Sequence, residues 1–207
     1  MSYLPFILPR VYAFFKPFLI NPDVKPNEGW FECEDTPLRW QHPLGLLYDL
    51  YSGAEPSHAD QPATEEDAKS TLPWKLTIHF SDHPIVLIRL DAAGRQAHDS
   101  FMNTVKEADF LRNGTAKTVM SLSKPDSQQI WESVQNHSLE NYNAINQKLL
   151  NPPGVAIRHV PMRVYLPRAS TQETEDMPMK GALRVVQGPI TPTVKNSRTW
   201  QGLYISD

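Results

Sequence analysis

Three places in this 207-residue chain carry side chains that could do chemistry: Lys106, the group His79, Asp82 and His83, and the lone cysteine Cys33. Two histidines and a carboxylate in the order H-x-x-D-H could make a hydrolytic or oxygenase metal site. The group falls at a strand end before Pro84, with no residue in view to orient the ligands. Polar residues facing water at a strand end account for it more economically, and a metal-dependent enzyme on these three residues is the alternative from another functional class. Cys33 would need a nearby base and accessible, electropositive surroundings to form a thioester. It lies instead between Glu32 and Glu34 and shares a strand face with Phe31, the setting of a small buried hydrophobe. Lys106 sits in Phe101–Leu122, FMNTVKEADFLRNGTAKTVMSL. At a helical period Phe101, Val105 and Ala108 fall in a narrow sector, with Met102 and Leu111 at its margins. Lys106 projects about 140° from Phe101 at ~100° per residue, so its amine points outward from mid-helix. On composition alone that is a solvated surface lysine.

The elements that position these residues follow from periodicity and punctuation. Gly114 suits a helix C′ position, and Thr115 can cap a short helix carrying Val119, Met120 and Leu122 inward. Ser123-Lys124-Pro125-Asp126 has the S-x-x-D capping pattern. It leads to one helix with Ile130, Trp131 and Val134 and, past the joint Asn136–Ser138, to another with Leu139, Tyr142, Ile145 and Leu149. Upstream, residues 3–8 are expected to be extended. Pro9 then opens a helix burying Val11, Phe14, Phe15 and Phe18 or Leu19. Trp30 to Trp40 is expected to be a hairpin turning at Asp35-Thr36-Pro37. Pro43 starts a helix with the stripe Leu44, Leu47, Leu50 and Tyr51. Pro73 to Phe80 alternates strictly, placing Trp74, Leu76, Ile78 and Phe80 on one strand face. Ser52 to Thr71 is acidic, without apolar period, and is expected to be a disordered insertion. Val160, Met162, Val164 and Leu166 mark a later strand, Pro167 to Lys180 a polar connector, and Leu183 to Val186 the partner strand.

Composition narrows the function classes. Twenty Lys+Arg against 23 Asp+Glu argues against a nucleic-acid-binding protein. One cysteine excludes an intramolecular disulfide framework or a thiolate cluster. No apolar run reaches the ~20 residues of a membrane span. The apolar start, broken by Pro5, Pro9, Arg10, Lys16 and Pro17, lacks the pattern of a signal peptide. A soluble intracellular protein is expected.

The blocks EGWFECEDTPLRWQHPLGLLYDLY (28–51), LPWKLTIHF (72–80), FMNTVKEAD (101–109), NGTAKTVMSLS (113–123), IWESVQN (130–136) and RHVPMRVY (158–165) together resemble the autophagy protein 5 family, in a fungal form. The resemblance spans roughly residues 3 to 188. It implies an α+β architecture: a ubiquitin-like (β-grasp) domain over 1–96, carrying the insertion 52–71, and a helical domain over 97–154. The start of a second ubiquitin-like domain follows over 155–207. Relative to the family the chain starts late, so the first strand of the first ubiquitin-like fold is expected to be missing. The tail Trp200–Asp207 does not resemble the second domain, as expected of a form truncated at both ends.

The resemblance also implies a role. Lys106, in the TVKEAD block, would accept the ubiquitin-like modifier autophagy protein 12 through an isopeptide bond, delivered by that pathway's conjugating enzyme. The conjugate would act with a helix of autophagy protein 16 as an E3-like scaffold for lipidation of autophagy protein 8 in autophagosome formation and cytoplasm-to-vacuole transport. Such a protein is cytoplasmic, found at the preautophagosomal structure, and a peripheral membrane protein. It needs no cofactor and has no catalytic nucleophile of its own. Glu107 and Asp109 would favour the charged form of the amine, so activation must come from the conjugating enzyme. An unconjugated adaptor is the remaining alternative, and Lys117 is the next candidate acceptor.

Overall fold

A computed structural model of the chain describes residues 2–52, 73–150, 159–167 and 183–191. The acidic insertion after Ser52, the connector after Pro167 and the Trp200–Asp207 tail lie outside the described residues. The chain divides into two compact units, Met1–Ala97 and His98–Asp207.

The first unit opens with helix α1, Leu4–Phe15, and not with an extended segment. Pro5 stands in its first turn, where a missing N–H costs nothing, and Pro9 is held inside the helix. The stripe that packs is therefore Leu4, Leu8 and Val11. The core it covers ends there, so Phe14 and Phe15, expected inside, are exposed, and of the alternatives Phe18 and Leu19 the first is 77% exposed and the second half-buried. Strands β1 (Trp30–Cys33), β2 (Thr36–Pro37) and β3 (Thr77–His79) form an antiparallel sheet in the order β2-β1-β3. Cys33 pairs directly with Thr36. The hairpin turn is thus Glu34-Asp35, not Asp35-Thr36-Pro37, and both residues take positive φ (47° and 62°), as a two-residue type I′ turn demands. Only Thr77–His79 of the expected long strand pairs, opposite the four-residue β1. Trp74, Leu76 and Ile78 still share the inward face.

Helix α2, Leu44–Tyr51, closes the core with Leu47 fully buried among Phe31, Cys33, Leu38 and Trp40. Residues 85–90 form irregular chain whose carbonyls have partners: Trp40 Nε1 donates to Ile88 O at 2.7 Å and Asn27 Nδ2 to Leu90 O at 3.1 Å. Gly29 is required by close approach, since a Cβ there would meet Leu8 and Phe80 side chains at 2.9 Å.

The second unit carries most of helix α3 (Arg95–Asn113), then α4 (Lys117–Met120), α5 (Lys124–Gln135) and α6 (Leu139–Leu150). An antiparallel ribbon of β4 (Val160–Pro167) and β5 (Leu183–Ile190) follows, with Val164 opposite Val186. β5 runs past Gly188, beyond the expected Val186. Ser123 Oγ accepts the Asp126 N–H at 3.2 Å, the cap that S-x-x-D predicts. His137, at φ 54°, forms the α5–α6 joint. The first turn of α5 then meets the last turn of α6, where Lys148 Nζ lies 2.7 Å from Asp126 Oδ1. Leu139, expected inside, is 70% exposed, so the inward stripe of α6 is carried by Ile145 and Leu149. Among the described residues no helix is long and apolar enough to cross a membrane.

The Lys148 contact, then the Ser123 hydroxyl, hold the Asp126 carboxyl below its usual pKa. A depressed carboxylate pKa stabilises the fold above the unfolded value, near 3.9, and that contribution fades as pH falls through the folded value. An NMR titration should show Asp126 protonating below pH 3.9 in the wild type. In Lys148→Met it should move back toward the ordinary value; an unmoved midpoint would refute the pairing.

Candidate functional site

Lys106 owes its position to what α3 does on its other side. Phe101 and Met102 are buried, and Val105, Ala108 and Leu111 half-buried, matching the expected sector. Trp131 of α5 meets Phe101 at 5.6 Å and His98 at 5.4 Å between ring centroids. Two charged residues share this inner side. Asp109 is 7% exposed; its Oδ2 accepts the Val119 N–H at 3.0 Å and its Oδ1 accepts from Asn113 Nδ2 at 2.7 Å. Val119 lies in the first turn of α4, so the orphan donor expected to be capped by Thr115 is satisfied from α3 instead. Arg112, 8% exposed, donates to the carbonyls of Leu149 and Leu150, the last residues of α6. A cation there satisfies orphan acceptors and opposes the helix dipole. Gly114, at φ 69°, ends α3 as its C′ residue, with its N–H on Phe110 O at 2.8 Å. Helix α3 is thus tied to α4 by Asp109 and to α6 by Arg112. The sequence carried a signal for both, since Asp109 follows Val105 by four and Arg112 follows Ala108 by four, inside the apolar stripe.

Lys106 itself is exposed and has no hydrogen-bond or ion-pair partner among the described residues. The acidic neighbours expected to hold its charge are engaged elsewhere. Asp109 is buried as above, and Glu107 pairs with Arg163 of β4, whose Nε also donates to Gln187 Oε1 at 3.0 Å. Lys106 lines a groove of about 600 Å³, with His98 and Met102 on its own helix and Val119, Met120 and Leu122 opposite. Met120, expected inside, is 74% exposed beside this groove, because a four-residue helix capped from α3 turns only Val119 fully inward. Lys117, the second candidate, is exposed on α4.

The other two groups take separate partners. His79 stacks on Trp30 (4.1 Å, 15°). Its Nε2 is 3.2 Å from Glu32 Oε2, at an angle that makes no hydrogen bond. Asp82 accepts from Ser81 Oγ at 2.9 Å, and His83 Nδ1 is 3.1 Å from Pro84 O. Among the described residues no three His, Cys, Asp or Glu side chains are grouped to hold a metal ion. Cys33 is buried, with Sγ 3.5 Å from Tyr51 O.

Comparison with known proteins agrees with this architecture. Residues 1–80 match the family model described as autophagy protein ATG5, UblA domain, and residues 94–152 match autophagy protein ATG5, alpha-helical bundle region. The chain belongs to the autophagy protein 5 family. Autophagy protein 5 of Phaeosphaeria nodorum is 52% identical over 195 residues, covering 90% of this chain and 62% of the relative. Autophagy protein 5 of Aspergillus fumigatus is 48% identical over 200 residues, covering 94% and 60%. The crystal structure of Kluyveromyces marxianus Atg5 matches with a TM-score of 0.65 at 24% identity, over 91% of this chain and 63% of that one, a likeness of fold. The chain thus spans about three fifths of the length of these autophagy protein 5 relatives. Its α+β fold is a ubiquitin-like domain followed by a helical bundle, and Lys106 lies in the bundle.

Proposed function

We propose that this chain acts in autophagy as the acceptor of the ubiquitin-like modifier autophagy protein 12, at Lys106. The conjugating enzyme presents the modifier's C-terminal glycine as a thioester on its own cysteine. The neutral Lys106 amine attacks the carbonyl carbon, the C–S bond breaks, the thiolate leaves, and the nitrogen loses its surplus proton, leaving an isopeptide bond. The observation that carries this reading is an exposed amine, without a partner among the described residues, in the middle of a helix pinned to two others. The chain is then substrate and scaffold rather than enzyme, and proton removal falls to the conjugating enzyme. The conjugate, joined by the helix of autophagy protein 16, promotes transfer of autophagy protein 8 to phosphatidylethanolamine. It works in the cytoplasm at the preautophagosomal structure, as a peripheral membrane protein. Peptide mapping of the conjugate from cells tests the site: the glycine remnant should branch from Lys106. A remnant on Lys117 would move the acceptor, and a chain never found in conjugated form would leave a plain adaptor.

A further inference from the structure

We infer that the groove beside Lys106 seats the last three or four residues of the modifier's tail, laid extended along α3 from Lys106 toward His98. The inference rests on the acceptor reading of Lys106. Lys106 forms part of the wall of this groove, so a chain joined to its exposed amine starts beside it. Side chains on a helix lean toward its N-terminus, so the Lys106 amine is carried back over Met102 and Asn103. His98 lies eight residues before Lys106, about 12 Å at 1.5 Å per residue, a length that three to four extended residues cover at ~3.3–3.6 Å each.

The walls suit such a segment. Met102, Val119, Met120 and Leu122 offer apolar surface for its side chains. Met120 is 74% exposed, and an unbranched thioether adapts to irregular partners. An extended tail also brings peptide N–H and C=O groups that need partners when covered. The Asn103 amide, with both donors and an acceptor, lines the groove and has no hydrogen bond of its own among the described residues. The groove therefore combines apolar contact with a pairing group for backbone. Selection of the modifier's tail at this lysine follows from both.

The test uses the full chain, the modifier and its enzymes. Met120→Glu alters an exposed residue, so the melting temperature should hold, while the conjugation rate falls about fivefold or more as a charge meets the tail's apolar side chains. Asn103→Cys, with a cysteine placed three residues from the modifier's end, should form a disulfide within the conjugate. Thr104→Cys, one residue on and turned away, should not. Wild-type conjugation of Met120→Glu would overturn the inference, as would equal cross-linking at 103 and 104. A slow Met120→Glu without selective cross-linking would mean that the groove touches the conjugating enzyme instead, which also overturns it. Failure of the acceptor reading is seen separately, as a glycine remnant mapped away from Lys106.

Discussion

Lys106→Arg is expected to abolish the conjugate and leave the fold unchanged. Arginine keeps the positive charge and is as good a helix former. Lys106 has no hydrogen bond or ion pair among the described residues to lose, so the melting temperature should stay within experimental scatter. The chemistry is a different matter. A lysine becomes a nucleophile once a nearby base in the conjugating enzyme removes one proton from its ammonium. A guanidinium stays protonated at any physiological pH and offers no free lone pair. Conjugation should fall to the background of other lysines. The readout is the electrophoretic shift of the cellular protein by one modifier mass, with the melting curve as control. A conjugate that persists at wild-type abundance in Lys106→Arg would sink the assignment.

Asp109→Ala is expected to destabilise the helical unit by about 1–3 kcal/mol. That is the cost of a buried donor left unpaired when its acceptor is removed. The Val119 N–H is that donor, and Asn113 Nδ2 loses its acceptor as well. Because Asp109 joins α3 to α4, loosening it should also open the wall of the lysine groove. Conjugation should drop although Lys106 is untouched. Urea unfolding measures the first effect and conjugate yield the second. An unfolding free energy within about 0.5 kcal/mol of wild type, the range of ordinary surface changes, would show that the buried carboxylate contributes nothing to the fold. Arg112→Met is a useful comparison, since it frees the Leu149 and Leu150 carbonyls at the other end of the same arrangement.

Much of the architecture was legible in the residue order. Helical period, the S-x-x-D cap and Gly114 were enough to place α3, α5 and α6 and to turn Lys106 outward. Strand alternation was enough for β1, β4 and the inward face of Trp74, Leu76 and Ile78. These are local properties, in which side chains three, four or two residues apart must share a face whatever lies opposite. The blocks of sequence around them were enough to indicate the family, which the matches over 1–80 and 94–152 establish.

What only the tertiary structure decided concerns partners distant in sequence. Pro9 suggested a late helix start, but the helix holds Pro9 inside it and Pro5 in its first turn, and the core contacts of Leu4 and Leu8 favour beginning α1 at Leu4. The hairpin turn fell one position early because the Cys33–Thr36 pairing, not turn composition, sets the register. Thr115 was the local choice to cap α4, yet a carboxylate from α3 reached the donor first. Glu107, next to Lys106, points apart from it on the helix, whereas Asp109, three residues on, is within reach of it by spacing and is taken up by other partners. One is drawn to Arg163 and the other into the core. Periodicity could show that Lys106 faces outward; only the packing of α4 and α5 against α3 could show that it faces a groove, with two charges that sequence placed beside it turned elsewhere.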